Sequence, residues 1–167
     1  MEDDGAPTTA DVQEIHEVAG QWQAVIEEME ALAAEYEASG YETLTCRPGD
    51  VSAVVDEERS AFGLYLLAPD DTFEMLSDRI DADTVDRFEV YRRSDGPYHF
   101  LVVALFDEDG SFVFLYPAYY TDESGEELVR ASRERGRMRT TVRTLSGEKL
   151  RFTHDWRAFF GRRDDRE

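Results

Sequence analysis

The chain has 167 residues, and 38 acidic against 18 basic side chains give it a formal net charge of −20. Hydrophobic residues make up 41% and aromatic residues 12%, which suffices for one packed core and excludes a disordered chain. The single cysteine, Cys46, excludes an intramolecular disulfide and a cysteine-based zinc site. No apolar run reaches the roughly 18 residues of a membrane span, so we expect one cytoplasmic domain without a membrane anchor.

The charge also predicts the solvent in which the protein works. Lys149 is the only lysine, and acidic excess with lysine depletion is typical of halophilic cytosolic proteins. In molar salt the Debye length falls to about 3 Å, so repulsion between carboxylates fades while they keep the surface hydrated. The alternative is a nucleic-acid mimic or a partner of a basic protein, whose attraction the same salt would screen.

Residues 1–8 predict a disordered acidic tail, and a long amphipathic helix follows from Thr9, its expected N-cap, to a stop at Gly40. Its apolar side chains recur at steps of three and four: Ile15, Val18, Trp22, Val25, Met29, Leu32 and Tyr36. This face packs either on the chain's own sheet or on the same helix of a second subunit, as a homodimer. Because the period lasts only about three heptads, packing on its own sheet is favoured.

The rest of the chain alternates short strands, two further helices and strong turn signals. Predicted strands cover residues 41–47, 61–67, 88–93, 98–106, 111–116, 138–145 and 149–153, the two helices cover 69–80 and 124–135, and residues 155–160 are predicted to form a terminal turn of helix. Pro48 and Gly49 predict the centre of a type II turn. Residues 161–167 are predicted to form a charged tail. The order, with its short hairpins, predicts a single α+β domain over residues 9–160, with a mostly antiparallel sheet and the helices packed on one face.

Motifs for nucleotide, metal and cofactor binding are missing from the sequence. There is no glycine-rich phosphate loop, and the acidic turn at 107–110 lacks the later ligands of an EF-hand, so we expect no cofactor. His16, His99 and His154 have no second histidine at metal-ligand spacing. Cys46, His154 and Asp155 would supply a nucleophile, a base and an orienting carboxylate, but the parity that Cys46 shares with Leu44 favours a core position.

The densest aromatic run contains Phe112, Phe114, Tyr116, Tyr119 and Tyr120. Alternation places the first three on one strand face, which is typical of a core stripe. The functional alternative is a small-molecule pocket, in a binding protein or an enzyme, lined by Tyr116, Tyr119 and Tyr120.

Basic residues are concentrated at the end of the chain. Residues 128–167 hold 12 basic and 6 acidic side chains, and the rest holds 6 basic and 32 acidic. Arg133, Arg135, Arg137 and Arg139 alternate across a helix-to-strand junction, which would align them on one side of an extended segment. They predict either an anion or nucleic-acid surface or, as favoured here, pairing with carboxylates of the first half or of a second subunit. Nucleic acid is disfavoured because its binding weakens steeply with salt.

Three segments of the chain are distinctive: EEMEALAAEYEASGYETL, the turn RPGD, and the ending VRTLSGEKLRFTHDWRAFF. Through them the chain resembles an uncharacterised haloarchaeal family, a domain of unknown function. The resemblance implies a halophilic cytosol and carries no activity. The sequence as a whole therefore favours a non-enzymatic binding or interaction protein.

Salt dependence gives the first testable expectation. Transfer from molar KCl to dilute buffer should lower the melting temperature, because the net charge of −20 is then unscreened. Thermal unfolding followed by circular dichroism at a series of KCl concentrations measures this. An unchanged melting temperature would contradict the halophilic interpretation.

Overall fold

The computed structural model describes residues 9–56, 58–59, 61–80, 85 and 87–160, with the side chains of 9–17, 158 and 159 excepted. The helices are α1 (Thr9–Ala38), α2 (Asp70–Arg79), α3 (Asp122–Arg135) and the short α4 (Trp156–Phe160). The strands are β1 (Glu42–Thr45), β2 (Asp50–Asp56), β3 (Ala61–Leu67), β4 (Arg87–Asp95), β5 (Tyr98–Asp107), β6 (Phe112–Thr121), β7 (Met138–Arg143) and β8 (Lys149–His154). Both predicted tails, 1–8 and 161–167, and the side chain of His16 lie outside the described residues.

The described strands form two four-stranded sheets. The first has the order β1-β6-β5-β4 and the second β2-β3-β7-β8. Short connections make most neighbours antiparallel, while β1 runs parallel to β6 and β3 parallel to β7. The predicted α+β class with a long N-terminal helix is confirmed. The strands divide between two mixed sheets, where the sequence had predicted one sheet.

The main core is built from the inner faces of the two sheets. Alternate residues of β5 and β6, such as Leu101, Val103 and Phe114, belong to the same buried cluster as Leu64 of β3 and Phe152 of β8. Apolar residues of α2 and α3 complete this cluster. The strict alternation along β5 and β6 leaves a second set of apolar side chains on the outer face of the first sheet.

Helix α1 covers that outer face. Its residues Val25, Met29 and Ala33 are buried against Val102 and Leu115, in a second cluster. The apolar seam therefore packs on the chain's own sheet, as favoured from the sequence. The helices do not share one face, because α2 and α3 contribute to the core between the sheets while α1 lies behind the first sheet.

Hydrogen bonds at the rim of α1 join it to the edge of the first sheet. The Tyr36 hydroxyl donates to Glu89 Oε1 at 2.8 Å, and Arg87 donates to both Glu89 and Glu108 at 2.6 Å. Desolvation of the Tyr36 phenol and its hydrogen bonds to Tyr91 and Glu89 raise its pKa. The cluster therefore fixes the position of α1 along β4.

Two local expectations differ from the structure. Gly49 lacks the positive φ that the third residue of a type II turn requires, and the chain continues directly into β2, which had not been predicted.

Strand β6 also runs past Tyr116 to Thr121. Pro117 is tolerated there because β1 borders β6 only from Phe112 to Leu115, so beyond that point one side of β6 has no neighbouring strand among the described residues.

None of the helices within the described residues is long and apolar enough to cross a membrane.

Candidate functional site

A cleft of about 560 Å³ lies at one end of the first sheet, between β4, β5 and helix α3. Its lining residues come from five elements: Arg92, Ser94, His99, Tyr120, Asp122, Gly125, Glu126, Val129, Arg130, Arg133 and Phe160. The volume lies within the range of small-molecule sites. Within the described residues, two smaller clefts, one beside Pro48 and Trp22 and one beside Leu44 and Ala33, contain neither arginine nor histidine.

The floor of the cleft is a lateral row across three strands. Ser94 of β4 is paired with His99 of β5, and His99 with Tyr120 of β6. Directly paired residues place their side chains on the same face of a sheet. The row therefore continues the inner face of the first sheet to the surface, where α3 begins.

Ser94, His99 and Asp122 form one chain of hydrogen bonds on this floor. Ser94 Oγ lies 2.7 Å from His99 Nδ1, and His99 Nε2 lies 2.6 Å from Asp122 Oδ1. A neutral imidazole that carries its proton on Nε2 satisfies both contacts, because Ser94 then donates to Nδ1 and Nε2 donates to the carboxylate. The His99 side chain keeps 24% of its surface and that of Asp122 67%, so the chain is open to a ligand.

Helix α3 supplies the wall of the cleft. A capping box fixes its start: Ser124 N donates to Thr121 Oγ1 at 3.2 Å, and Thr121 N donates to Ser124 Oγ at 3.0 Å. Asp122 is thereby held beside His99 in the first turn. The lining residues Asp122, Glu126, Val129, Arg130 and Arg133 are spaced by three and four, which is one face of a helix.

Close packing between α3 and β6 brings this wall onto the floor. Gly125 lies against the Tyr120 ring, and a Cβ at this position would be 2.7 Å from Tyr120 Cδ1. The ring of Tyr120 stands in turn 5.2 Å from that of His99, centroid to centroid. A side chain at position 125 would therefore clash with the Tyr120 ring.

Three guanidinium groups line the cleft. Arg92 Nη1 donates to Tyr120 Oη at 3.3 Å and to the carbonyl oxygen of Phe160, and Arg133 lies over the Trp156 ring at 5.6 Å. In the described part of the chain no carboxylate lies within salt-bridge distance of Arg92, Arg130 or Arg133. Their positive charge is therefore directed to the cleft and its solvent.

The predicted row of Arg133, Arg135, Arg137 and Arg139 does not exist as one surface. Arg133 and Arg135 both lie within α3, where residues two apart point about 200° apart. Arg135 packs over the Phe62 ring at 4.6 Å, and the half-buried Arg139 lies over the same ring at 6.0 Å. Arg137 instead donates a hydrogen bond to the carbonyl oxygen of Arg135 at 3.5 Å. Only Arg133 belongs to the cleft.

The expected pairing of these four arginines with carboxylates is not seen within the described residues. Pairing with a second subunit stays a prediction.

The three candidate tyrosines lie in different environments. Tyr116 is fully buried and shares a hydrogen bond of 2.9 Å with Thr140, which places it in the core with Phe112 and Phe114. Tyr119 faces α1 and contacts Trp22 edge-on at 6.0 Å. Tyr120 alone lines the cleft. The core stripe favoured from the sequence is correct for residues 112–116. The three tyrosines do not line one pocket, because Tyr119 faces the opposite side of the sheet and Tyr116, on the same face as Tyr120, is buried in the core.

Cys46 does not qualify as a nucleophile. It is fully buried, and desolvation of the thiol raises its pKa to about 12, so the reactive thiolate is disfavoured. His154 is also buried, lies 3.1 Å from Thr140 Oγ1 and packs on the Phe88 ring. Desolvation lowers the pKa of His154 to about 3. Within the described residues no group of three or more His, Cys, Asp or Glu side chains forms a metal site.

The sequence contained signals for this cleft that its interpretation missed. Steps of three and four residues between positions 122 and 133 place Asp122, Arg130 and Arg133 on one face of helix α3. The predicted turn at 94–97 concealed the pairing of Ser94 with His99, because the actual loop has only two residues, Gly96 and Pro97. The predicted loop, residues 94–97, was two residues longer and therefore placed Ser94 outside the strands.

Comparison with known proteins adds a family and no activity. No curated protein and no solved structure matches the chain. The predicted membership of a domain-of-unknown-function family is confirmed, whereas haloarchaeal origin stays a prediction. The model of the family described as "Family of unknown function (DUF7529)" matches residues 9–161, and the chain belongs to that family.

Proposed function

We propose that this protein binds a small organic anion in the cleft between α3 and the β4–β5 hairpin, with Arg92, Arg130 and Arg133 as its anion-binding groups. The observation that carries the proposal is the convergence on one cleft of three guanidiniums without a carboxylate partner within the described residues, in a chain with 38 acidic side chains. Other arginines, such as Arg135 and Arg139, also lack a carboxylate partner there, but they pack over an aromatic ring outside the cleft.

Several arginines outside the cleft are paired with carboxylates. Arg47 contacts Glu30, Arg79 contacts Glu42 at 2.6 Å, and Arg93 contacts Glu28. These pairs are exposed and contribute little to stability, but each neutralises its guanidinium. The cleft arginines keep their charge for a bound ligand.

The cleft geometry limits the class of ligand. A volume of about 560 Å³ accommodates a metabolite-sized molecule and excludes a nucleic-acid duplex as an occupant. Tyr120, Val129 and Phe160 provide apolar contact beside the cations, and Glu126 is available to accept a hydrogen bond from the ligand. The ligand is therefore a carboxylate or phosphate monoanion or dianion with an apolar part.

Calorimetric titration tests the anion site. With KCl held at molar concentration, we expect succinate or inorganic phosphate to bind the full chain, and the two titrations distinguish a carboxylate site from a phosphate site. The double variant Arg130→Gln/Arg133→Gln should weaken binding at least about 10-fold, because it removes two charge-assisted contacts.

Two arginines of the basic segment, residues 128–167, provide a matched control. Arg137 and Arg151 are exposed and lie outside the cleft, so Arg137→Gln/Arg151→Gln removes the same charge and should leave binding unchanged. Equal weakening by the two double variants would refute the site, because the effect would then come from net charge.

We infer that the protein works in a salt-rich cytoplasm, from the net charge of −20 and the single lysine. A homodimer through α1 remains a proposal, and the burial of Val25 and Met29 on the chain's own sheet restricts it to the outward face of that helix.

A further inference from the structure

The row Ser94–His99–Asp122 has the composition of a catalytic triad and lies in the same cleft as the arginines. The geometry points to a hydrolase that transfers the acyl group of an anionic ester to Ser94. This inference rests on the proposed anion site for its substrate class. The two contacts of 2.7 Å and 2.6 Å that join the three side chains carry the inference.

Each side chain of the triad has one role. Ser94 is exposed on β4 and is the nucleophile, because its hydroxyl is already hydrogen-bonded to an imidazole nitrogen. His99 is the general base through Nδ1. Asp122 acts through His99 as a positioning residue, since it accepts from Nε2–H and stabilises the imidazolium that forms during attack.

Fixed backbone elements hold this geometry. Ser94 and His99 are directly paired residues on the β4–β5 hairpin, and Asp122 N donates to the carbonyl oxygen of Pro97 in the same hairpin at 2.9 Å. The capping box of α3 sets the direction of Asp122. The three groups therefore lie on paired strands and the first turn of a capped helix, which favours a preorganised site.

The reaction balances with water as the only co-reactant. Ser94 Oγ forms a bond to the ester carbonyl carbon and its proton passes to His99 Nδ1. The bond from that carbon to the leaving oxygen then breaks, and the leaving oxygen takes the proton from His99. Water attacks the acyl-Ser94 ester, passes a proton through His99 to Ser94 Oγ, and releases the acid.

The cleft arginines determine which charge the substrate must carry. Arg130 and Arg133 stand on the α3 face that begins at Asp122, so they reach an anionic group on the same ligand whose ester contacts Ser94. Arg92, beside Tyr120 on the floor, adds positive charge near the reacting row, where it favours the oxyanion that develops. The substrate class is an ester that carries a carboxylate.

Covalent labelling tests the nucleophile directly. The full chain in molar KCl, treated with a fluorophosphonate probe and digested, should show the adduct on Ser94 by mass spectrometry. His99→Gln should slow labelling roughly 100-fold or more, because it removes the general base. Ser77 is a matched exposed serine whose hydroxyl donates to the carbonyl oxygen of Glu74, and Ser77→Ala should leave labelling unchanged.

Steady-state kinetics test the roles of the other groups. We expect 4-nitrophenyl succinate, which carries a carboxylate, to be hydrolysed at least about 10-fold faster in kcat/KM than the neutral 4-nitrophenyl acetate. Asp122→Asn should lower kcat roughly 100-fold or more with little change in KM, and Arg130→Gln should raise KM with little change in kcat. A melting temperature equal to that of the wild type confirms that each variant is folded.

The outcomes separate this inference from the anion site. Succinate binding without Ser94 labelling or ester hydrolysis would overturn the hydrolase and leave the proposed function intact. Labelling of Ser94 with equal hydrolysis of the two esters and no binding of succinate or phosphate would overturn both the anion site and the substrate class. Labelling, a preference for the anionic ester and the split between kcat and KM together establish the inference.

Discussion

Gly63→Ala is expected to lower the free energy of unfolding by at least about 4 kcal/mol. Gly63 lies in β3 with φ +115°, and a Cβ built on it would be 1.9 Å from the carbonyl oxygen of Arg139 and 2.8 Å from its carbonyl carbon. Backbone atoms of β7 occupy the space of a side chain. The parallel pairing of β3 with β7, which joins the two hairpins of the second sheet, therefore requires glycine here.

Gly40 provides the matched control for Gly63. It has a similar φ of +103°, but no atom lies within 4 Å of the position that a Cβ would take there. Gly40→Ala therefore carries only the cost of a left-handed residue, about 1–2 kcal/mol. Denaturant unfolding of both variants in molar KCl measures the difference, and equal destabilisation would show that the contact with Arg139 is not the cause.

His154 is expected to make the fold lose stability as the pH falls. The buried imidazole stays neutral in the folded state because desolvation lowers its pKa to about 3, whereas in the unfolded chain a histidine takes up a proton near pH 6.5. Between these values the unfolded state binds more protons, so the stability present above about pH 6.5 declines toward pH 3. The decline amounts to about 3 kcal/mol between pH 7 and pH 4.

His154→Gln isolates this contribution from the acidic surface, whose carboxylates also take up protons in the lower part of the range. Glutamine keeps a polar group beside Thr140 Oγ1, the neighbour of His154 at 3.1 Å, and has no titrating proton. Unfolding free energies of both proteins at a series of pH values in molar KCl give the comparison. Parallel pH profiles for the two proteins would contradict a neutral buried histidine.

The position of the cleft arginines is related to the distribution of charge along the chain. Residues 1–127 carry the acidic excess, and arginines there pair with carboxylates such as Glu28 and Glu30. The cleft arginines on α3 and β4 stay without such partners among the described residues. In concentrated salt, distant charges are screened, whereas a ligand held between guanidiniums at contact distance still benefits from directed hydrogen bonds.

Periodicity in the sequence determined most of the elements. Steps of three and four along α1 predicted its buried face, and the alternation along β5 and β6 predicted the core stripe that contains Phe114 and Tyr116. Acidic turns with glycine predicted the hairpins after β4 and β5. These signals are local, since each depends on residues only a few positions apart, and the composition independently predicted the acidic, lysine-poor surface.

Tertiary structure alone decided how these elements associate. The division into two sheets depends on the parallel pairs β1–β6 and β3–β7, whose partners lie far apart in the sequence and carry no turn signal between them. The missed strand β2 consists of small, half-buried residues, and its pairing with β3 stabilises it more than its own pattern suggests.

The candidate site depends on register, which the sequence left open. Ser94 faces His99 because the β4–β5 loop has two residues, and a slip of one residue would send Ser94 to the opposite face of the sheet. The sequence by itself determined the long helix, the hairpins, the core stripe and the acidic, lysine-poor composition. The tertiary structure decided which serine, histidine, aspartate and arginines meet in the cleft, because their contacts join residues on separate strands and helices.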